Sequence, residues 1–232
     1  MLAHAESVSR EAELIMASAQ ELMDKGDGAA ARSQLLKAVE IAPHWMTPAA
    51  ALGVLHQLEG NEELALEHYT KVQLASLLSE GAQDNRLIRD IAAGEAWMVY
   101  LANEERWAQG LKLLPPHPDL AIVARRHSRE MRDLGYFSHE SPRVHSRRPS
   151  DRFSNHFGYR PLCIGENLAR MQSTGRWSMN TDNLTESHDR LMNSASHRST
   201  ILWELPHYVG IGIAVNERGD FWVTEKFVDM TR

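Results

Sequence analysis

Three prolines in four positions, in Leu114-Pro115-Pro116-His117-Pro118, interrupt a 232-residue chain near its middle. Proline lacks a donor N–H and fixes φ, so a helix has to stop here and the connection is stiff. Pro118 suits the first turn of a new helix, where the missing N–H is not needed. The charge pattern changes at the same place. Residues 1–114 carry 9 Lys/Arg against 17 Asp/Glu, and residues 115–232 carry 16 against 14. Fifteen of those 16 cations are Arg, and 8 of the 12 histidines lie in the second half. The net charge of −6 hides this asymmetry, which predicts two parts with different jobs, 1–114 and 115–232.

Several classes are excluded at once. With 43% apolar and 24% charged residues the chain has the composition of a folded globular protein. No apolar run is long enough to span a bilayer. A single cysteine, Cys163, rules out an intrachain disulfide; set between Leu162 and Ile164, it reads as an inert buried thiol. The first residues, Met-Leu-Ala-His-Ala-Glu-Ser, lack the basic start and apolar core of a signal peptide. The expectation is a chain that stays inside the cell or one whose leader is not part of this sequence. A basic loop holds Arg143, His145, Arg147 and Arg148, with Arg152 just beyond. It has no interleaved aromatics, so it reads as a solvated loop or a salt-bridge network and not as a nucleic-acid site.

The first half carries a period of 34 residues. Gly26 and Gly60, Ala31 and Ala65, Leu35 and Tyr69, and Lys37 and Lys71 are each separated by that distance. Glycine supplies a turn, and alanine lets two helices approach. The pattern resembles the tetratricopeptide repeat, with about two units in 20–75 and Asn103–Leu114 as the second helix of a degenerate third. So few units seldom bury enough surface alone, so this half is expected to dock on the second. The resemblance implies a concave groove for a protein or peptide partner; a packing extension without a ligand is the alternative.

In the second half, Leu120, Ala124, Met131 and Leu134 share one face of a helix that Gly135 ends. His127 on that face reads as a core histidine bonded to a backbone carbonyl. A short helix follows from Asp151 to Gly158. Leu162–Ala169 reads as a buried strand passing into a polar turn at Gly165-Glu166-Asn167. Glu166 directly follows apolar residues and therefore needs a partner. Asn183-Leu-Thr-Glu186 has the form of a helix cap, which explains Glu186. Ser194-Ala-Ser-His197-Arg198 opens another helical segment, with Ser196 as a candidate cap. Tyr208–Val215 and Phe221–Val228 form a β-hairpin, and Gly210 and Gly212 leave room for a close neighbour. His207 precedes the first of these strands, within reach of the same cleft.

Tyr136-Phe-Ser-His139, Gly165-Glu-Asn167, Asn193-Ser194 with His197-Arg198, and Val209-Gly-Ile-Gly212 resemble, in this order, the CAP superfamily of cysteine-rich secretory, antigen 5 and pathogenesis-related proteins, or SCP domain. His127-Ser128, Asp151-Arg-Phe153, Gly158-Tyr159 and Ile201-Leu202 extend the match over about 118–229. The resemblance implies an α+β fold, an α-β-α sandwich preceded by the all-α half. It also implies a cleft of two histidines and two acids, reported to bind zinc or related cations in some members. His139, Glu166 and His197 match three of these positions. Ser194 stands where eukaryotic members have the second Glu, and Leu191 where they have Trp. Without disulfides the chain looks like a bacterial-type member of a mostly secreted family.

Two imidazoles and a carboxylate suit a divalent cation such as zinc, or acid/base chemistry. The predicted metal set is His139, His197 and Glu166, with Ser194, Asn167 and His207 lining the ligand cleft. The leading expectation is a binding module whose cleft takes a cation or small ligand. The alternative is a metal-dependent hydrolase of peptidase or lipase type, with Glu166 as base.

Overall fold

The computed structural model describes residues 8–173 and 178–230. The amino-terminal heptapeptide read above for targeting signals lies outside the described residues. Among those described, the first half is helical: α1 (Arg10–Asp24), α2 (Gly28–Ile41), α3 (Met46–Leu58), α4 (Glu62–Ser79) and α5 (Arg86–Ala108). Ser9, Asp27, Asn61 and Asn85 cap α1, α2, α4 and α5, each side chain accepting a first-turn N–H that would otherwise be orphaned. The 34-residue period corresponds to two helical hairpins, α1–α2 and α3–α4. Gly26 (φ 78°) and Gly60 (φ 74°) make the left-handed turns, and the paired positions Ala31/Ala65 and Leu35/Tyr69 are all fully buried. The third unit fails. Asn103–Ala108 is the end of the single long helix α5, and residues 111–114 belong to no helix or strand. Nothing between Arg86 and Ala108 breaks a helix; Gly94 sits inside it, where a Cβ would meet Leu184 at 3.2 Å.

The second half contains α6 (Pro118–Leu134), a 3-10 turn (Val144–Ser146), α7 (Pro149–Phe157), β1 (Cys163–Met171), α8 (Thr181–Asn193), α9 (Ala195–Ile201), β2 (Tyr208–Val215) and β3 (Phe221–Asp229). Pro118 is at the start of α6 as predicted, and Gly135 closes it in the left-handed conformation. Leu134, assigned above to the buried face, is half exposed in the last turn. The sheet is antiparallel in the order β1-β3-β2. Helix α6 lies on one face. Its backbone comes so close to β2 that a Cβ on Gly210 would meet Leu120 at 2.5 Å and one on Gly212 would meet the Arg125 nitrogen at 2.0 Å. Helices α5, α8 and α9 cover the other face, on which Val209, Ile211, Ile213, Val223 and Phe227 are buried. The result is an α-β-α sandwich.

The proline segment is more than a connection. Val209 donates to the Pro115 carbonyl and His117 donates to the Val209 carbonyl, so 115–117 lies beside the outer edge of β2. Farther along this edge, Glu95 of α5 accepts the Ile213 N–H at 2.9 Å. An edge strand whose donors are occupied is poor at pairing with another chain. One apolar cluster runs from Val54 and Tyr69 through Ala92 and Val99 to Leu184, Ile213 and Phe227. The two halves therefore share a core.

Two local readings need correction. Gly165-Glu166-Asn167 is in the middle of β1 and not in a turn; the strand continues because Glu166 and Asn167 each find partners across it. The cap of α8 is Asn180, which accepts from Asn183 N; Glu186 instead pairs with Arg190 one turn on.

Candidate functional site

Strand alternation sends Glu166 and Asn167 to opposite faces of β1. Each clamps one layer of the sandwich. Glu166 faces α6 and α7, and its side chain is only 2% exposed. Lys226, its direct neighbour on β3, donates to Oε2 at 2.6 Å. Arg152 of α7 donates through Nη2 to both carboxylate oxygens, at 2.9 and 2.8 Å. His139 lies 3.0 Å from Oε1 through Nδ1, and His127 is 3.9 Å away through Nε2. Burial by itself would raise the Glu166 carboxyl. Lys226, the His139 hydrogen bond and Arg152 outweigh it and hold the group well below the usual carboxylate range. Glu166 is a permanent anion.

The same hub fixes the imidazoles around it. His127 is fully buried; its Nε2 contacts the Ser138 carbonyl at 3.1 Å, as its sequence context predicts. Desolvation, only partly offset by Glu166, pushes its pKa down to about 4, so the ring is neutral. His139 is half exposed, and its Nδ1 faces an anion. An anion facing Nδ1 calls for a proton on that nitrogen, which leaves Nε2 as the outer nitrogen of the ring. Arg152 also donates to the His139 carbonyl at 3.0 Å and to the carbonyls of Ser146 and Arg147, tying the 139–147 loop to the hub.

On the other face, buried Asn167 donates to the His197 carbonyl and to Glu225 Oε2, both at 3.1 Å. This holds α9 on the sheet. Arg106 of α5 secures the far end of α9, donating through Nη1 to the carbonyls of Ile201 (2.8 Å) and Trp203 (2.7 Å). His197 is half-buried. Its pKa is lowered first by burial and then by the charge of His139, which places the two rings within electrostatic reach around the edge of β1.

The structure thus places the predicted residues in several separate positions. His139 and Glu166 are in direct contact beside β1, whereas His197 belongs to α9 in the opposite layer and is linked to His139 only through its charge. Asn167 is a buried pin. Ser194 is the residue between α8 and α9, and its hydroxyl is 3.3 Å from that of Ser196, which lies inside α9 and is not its cap. His207 immediately precedes β2, 3.0 Å from Asp229 Oδ1, near the Cys163 end of β1. Cys163 itself is half-buried, and burial raises its pKa, so the thiol stays protonated.

Three residues of the site escape sequence reasoning. Arg152 groups in the sequence with a solvated basic loop, yet it is buried. Lys226 and Glu225 are adjacent charges that, with Thr224, interrupt the apolar run Phe221–Val228, and that interruption is the available signal. Glu225 is fully buried beside Asn167 with its Oε1 unpartnered, and desolvation pushes its pKa up to about 7.

Among the described residues, no group of three or more His, Cys, Asp or Glu side chains is arranged to hold a metal ion. The donor set agrees with this. Glu166 is already matched by a guanidinium and an ammonium, so a cation would have to displace both. Two imidazoles remain, fewer than the three protein ligands of typical catalytic zinc sites. The residues do not fit a resident zinc.

The family model of the cysteine-rich secretory protein family, CAP, matches residues 99–227. The chain belongs to this family. The CAP match begins inside α5, upstream of the proline step at which the charge pattern changes. An uncharacterized protein YkwD of Bacillus subtilis strain 168 is 36% identical over 138 residues, which cover 60% of this chain and 48% of that protein. The chain therefore spans about half the length of this curated relative. Among solved structures, an extracellular protein containing an SCP domain from Bacillus anthracis str. Ames matches with a TM-score of 0.49 and 24% identity, over 67% of this chain and 49% of that one. An outer surface protein from Borrelia burgdorferi matches with a TM-score of 0.49 and 15% identity, over 58% of this chain and 90% of that one. No helix among the described residues is long and apolar enough to cross a membrane.

Proposed function

We propose that the CAP domain is a binding module and not a hydrolase, with a small polar ligand held at the rings of His139 and His197. The observation that carries this reading is the state of Glu166. A general base works best with a pKa near the working pH. Glu166 is buried, paired with Lys226 and Arg152, and held far below that range. It serves to orient His139, whose outer nitrogen is then held in a fixed position toward a ligand. His197 adds a second ring from the opposite layer. The helical half supports this cleft: Arg106 pins α9, and Trp97 of α5 donates to Thr185 of α8 at 3.0 Å.

The test has two arms. Zinc chloride is titrated calorimetrically into the full chain and into the His139→Ala, His197→Ala double variant. Peptidase and ester substrates are assayed with and without chelator. The expected result is no one-to-one zinc complex tighter than about 1 μM and no turnover. A tighter complex lost in the double variant, or chelator-sensitive turnover lost in Glu166→Gln, overturns the reading. In a screen of small polar compounds followed by NMR, binders are expected to move both ring signals together; a screen that moves neither ring also counts against it.

A further inference from the structure

Arg152 and His127 also border a cavity distinct from the histidine rim. Between α6, α7 and the 143–146 turn lies an open space of about 370 Å³, at the small end of the range for small-molecule sites. Arg126, Arg129, Arg143 and Arg152 line it, against the carboxylates of Glu130 and Asp133.

The local anions are already committed. Glu130 Oε1 accepts from Tyr136 (2.6 Å) and from Ser141, and Oε2 faces Arg143 at 3.4 Å. Glu80, at the edge of the cluster, is shared by Arg125 (2.6 Å), Arg129 (3.2 Å) and Arg126 (3.5 Å). Arg126 Nη1 lies against the His156 ring, at 3.5 Å. Arg152, although buried, keeps one donor idle: its Nη1 and Nη2 are occupied, but its Nε has no hydrogen-bond partner. A buried guanidinium N–H without an acceptor is costly, and a wall with more cations than anions favours an incoming negative charge.

We infer that this cavity is an anion-binding site for a small organic dianion, a dicarboxylate or a phosphate monoester. Arg126 and Arg143 gate it from the exposed side, and Arg152 forms its floor. Planar guanidinium groups match the paired oxygens of either ligand. The volume accommodates a metabolite-sized molecule and is too small for a macromolecular surface. The site is separate from the His139–His197 rim, so its test is independent of the function proposed above.

The full chain is titrated at pH 7 and constant ionic strength with inorganic phosphate and, separately, with succinate, followed by amide NMR shifts; sodium chloride is the control. The variants are Arg126→Gln/Arg143→Gln, whose side chains are exposed, and His139→Ala/His197→Ala. At least one anion is expected to give saturable shifts in α6 and α7, with affinity weakened about tenfold or more in the arginine variant and unchanged in the histidine variant. A response to phosphate alone assigns phosphate monoesters, and a response to succinate alone assigns dicarboxylates. Shifts no larger than those with chloride, equal binding by the arginine variant, or a loss confined to the histidine variant overturns the inference. Circular dichroism of the arginine variant, expected to match that of the parent, excludes unfolding as the cause of a loss.

Discussion

Replacing Glu225 by Gln is expected to stabilise this protein at neutral and alkaline pH and to change little in acid. Glu225 is fully buried on β3, facing the α9 layer, with Asn167 donating to one carboxylate oxygen and nothing on the other. Desolvation raises its pKa from 4.5 to about 7. Between these values the folded protein keeps a proton that the unfolded chain has released. The stability contributed by the neutral acid is therefore complete below pH 4.5 and is lost as the pH rises through about 7. The full difference corresponds to about 3 kcal/mol at pH 8. Glutamine keeps the shape and the bond from Asn167 but never ionises. Urea denaturation of both proteins at pH 5, 6, 7 and 8 measures the effect, with an expected rise in midpoint of about 1 M at pH 8. The buried imidazoles of His127 and His188, both pushed down to about 4, give the opposite slope between pH 4 and 6.5. They are present in both proteins and cancel in the difference. If Glu225→Gln and the parent differ equally at pH 5 and pH 8, the carboxyl is not a buried neutral acid and the reasoning fails.

Two further substitutions test the frame of the site. Glu166→Gln leaves Lys226 and Arg152 as buried cations without an anion and is expected to cost about 3–5 kcal/mol in urea denaturation, with part of the loss recovered by adding Lys226→Met; a loss below 1 kcal/mol would argue that water reaches the hub. Gly212→Ala puts a methyl group 2.0 Å from the Arg125 backbone nitrogen, so α6 has to move off the sheet. The loss in thermal or urea stability is expected to reach or exceed the about 1–3 kcal/mol of ordinary overpacking, and an unchanged midpoint would show that the helix is not held so close.

Some of this was legible in the chain because it is local. Gly135 ends α6, Pro118 begins it, the 34-residue spacing marks two hairpins, and two mainly apolar runs around a polar turn mark β2 and β3. Each depends on neighbours within a turn or along a strand. The ordered motifs likewise pointed to the CAP fold and paired His139 with Glu166. Tertiary structure alone decided what those residues touch. Glu166 resembled a metal ligand or a base until Lys226, 60 residues away, and Arg152 were placed against it. Asn167 resembled a cleft residue until α9 was seen to hang from it. The proline step marked the change of character between the two parts, and the fold showed that Val54 and Phe227 share a core across it. Local sequence sets where backbone donors and apolar faces lie. The charge state and freedom of a side chain depend on partners that only the fold brings within a few ångströms, where desolvation makes each ion pair decisive.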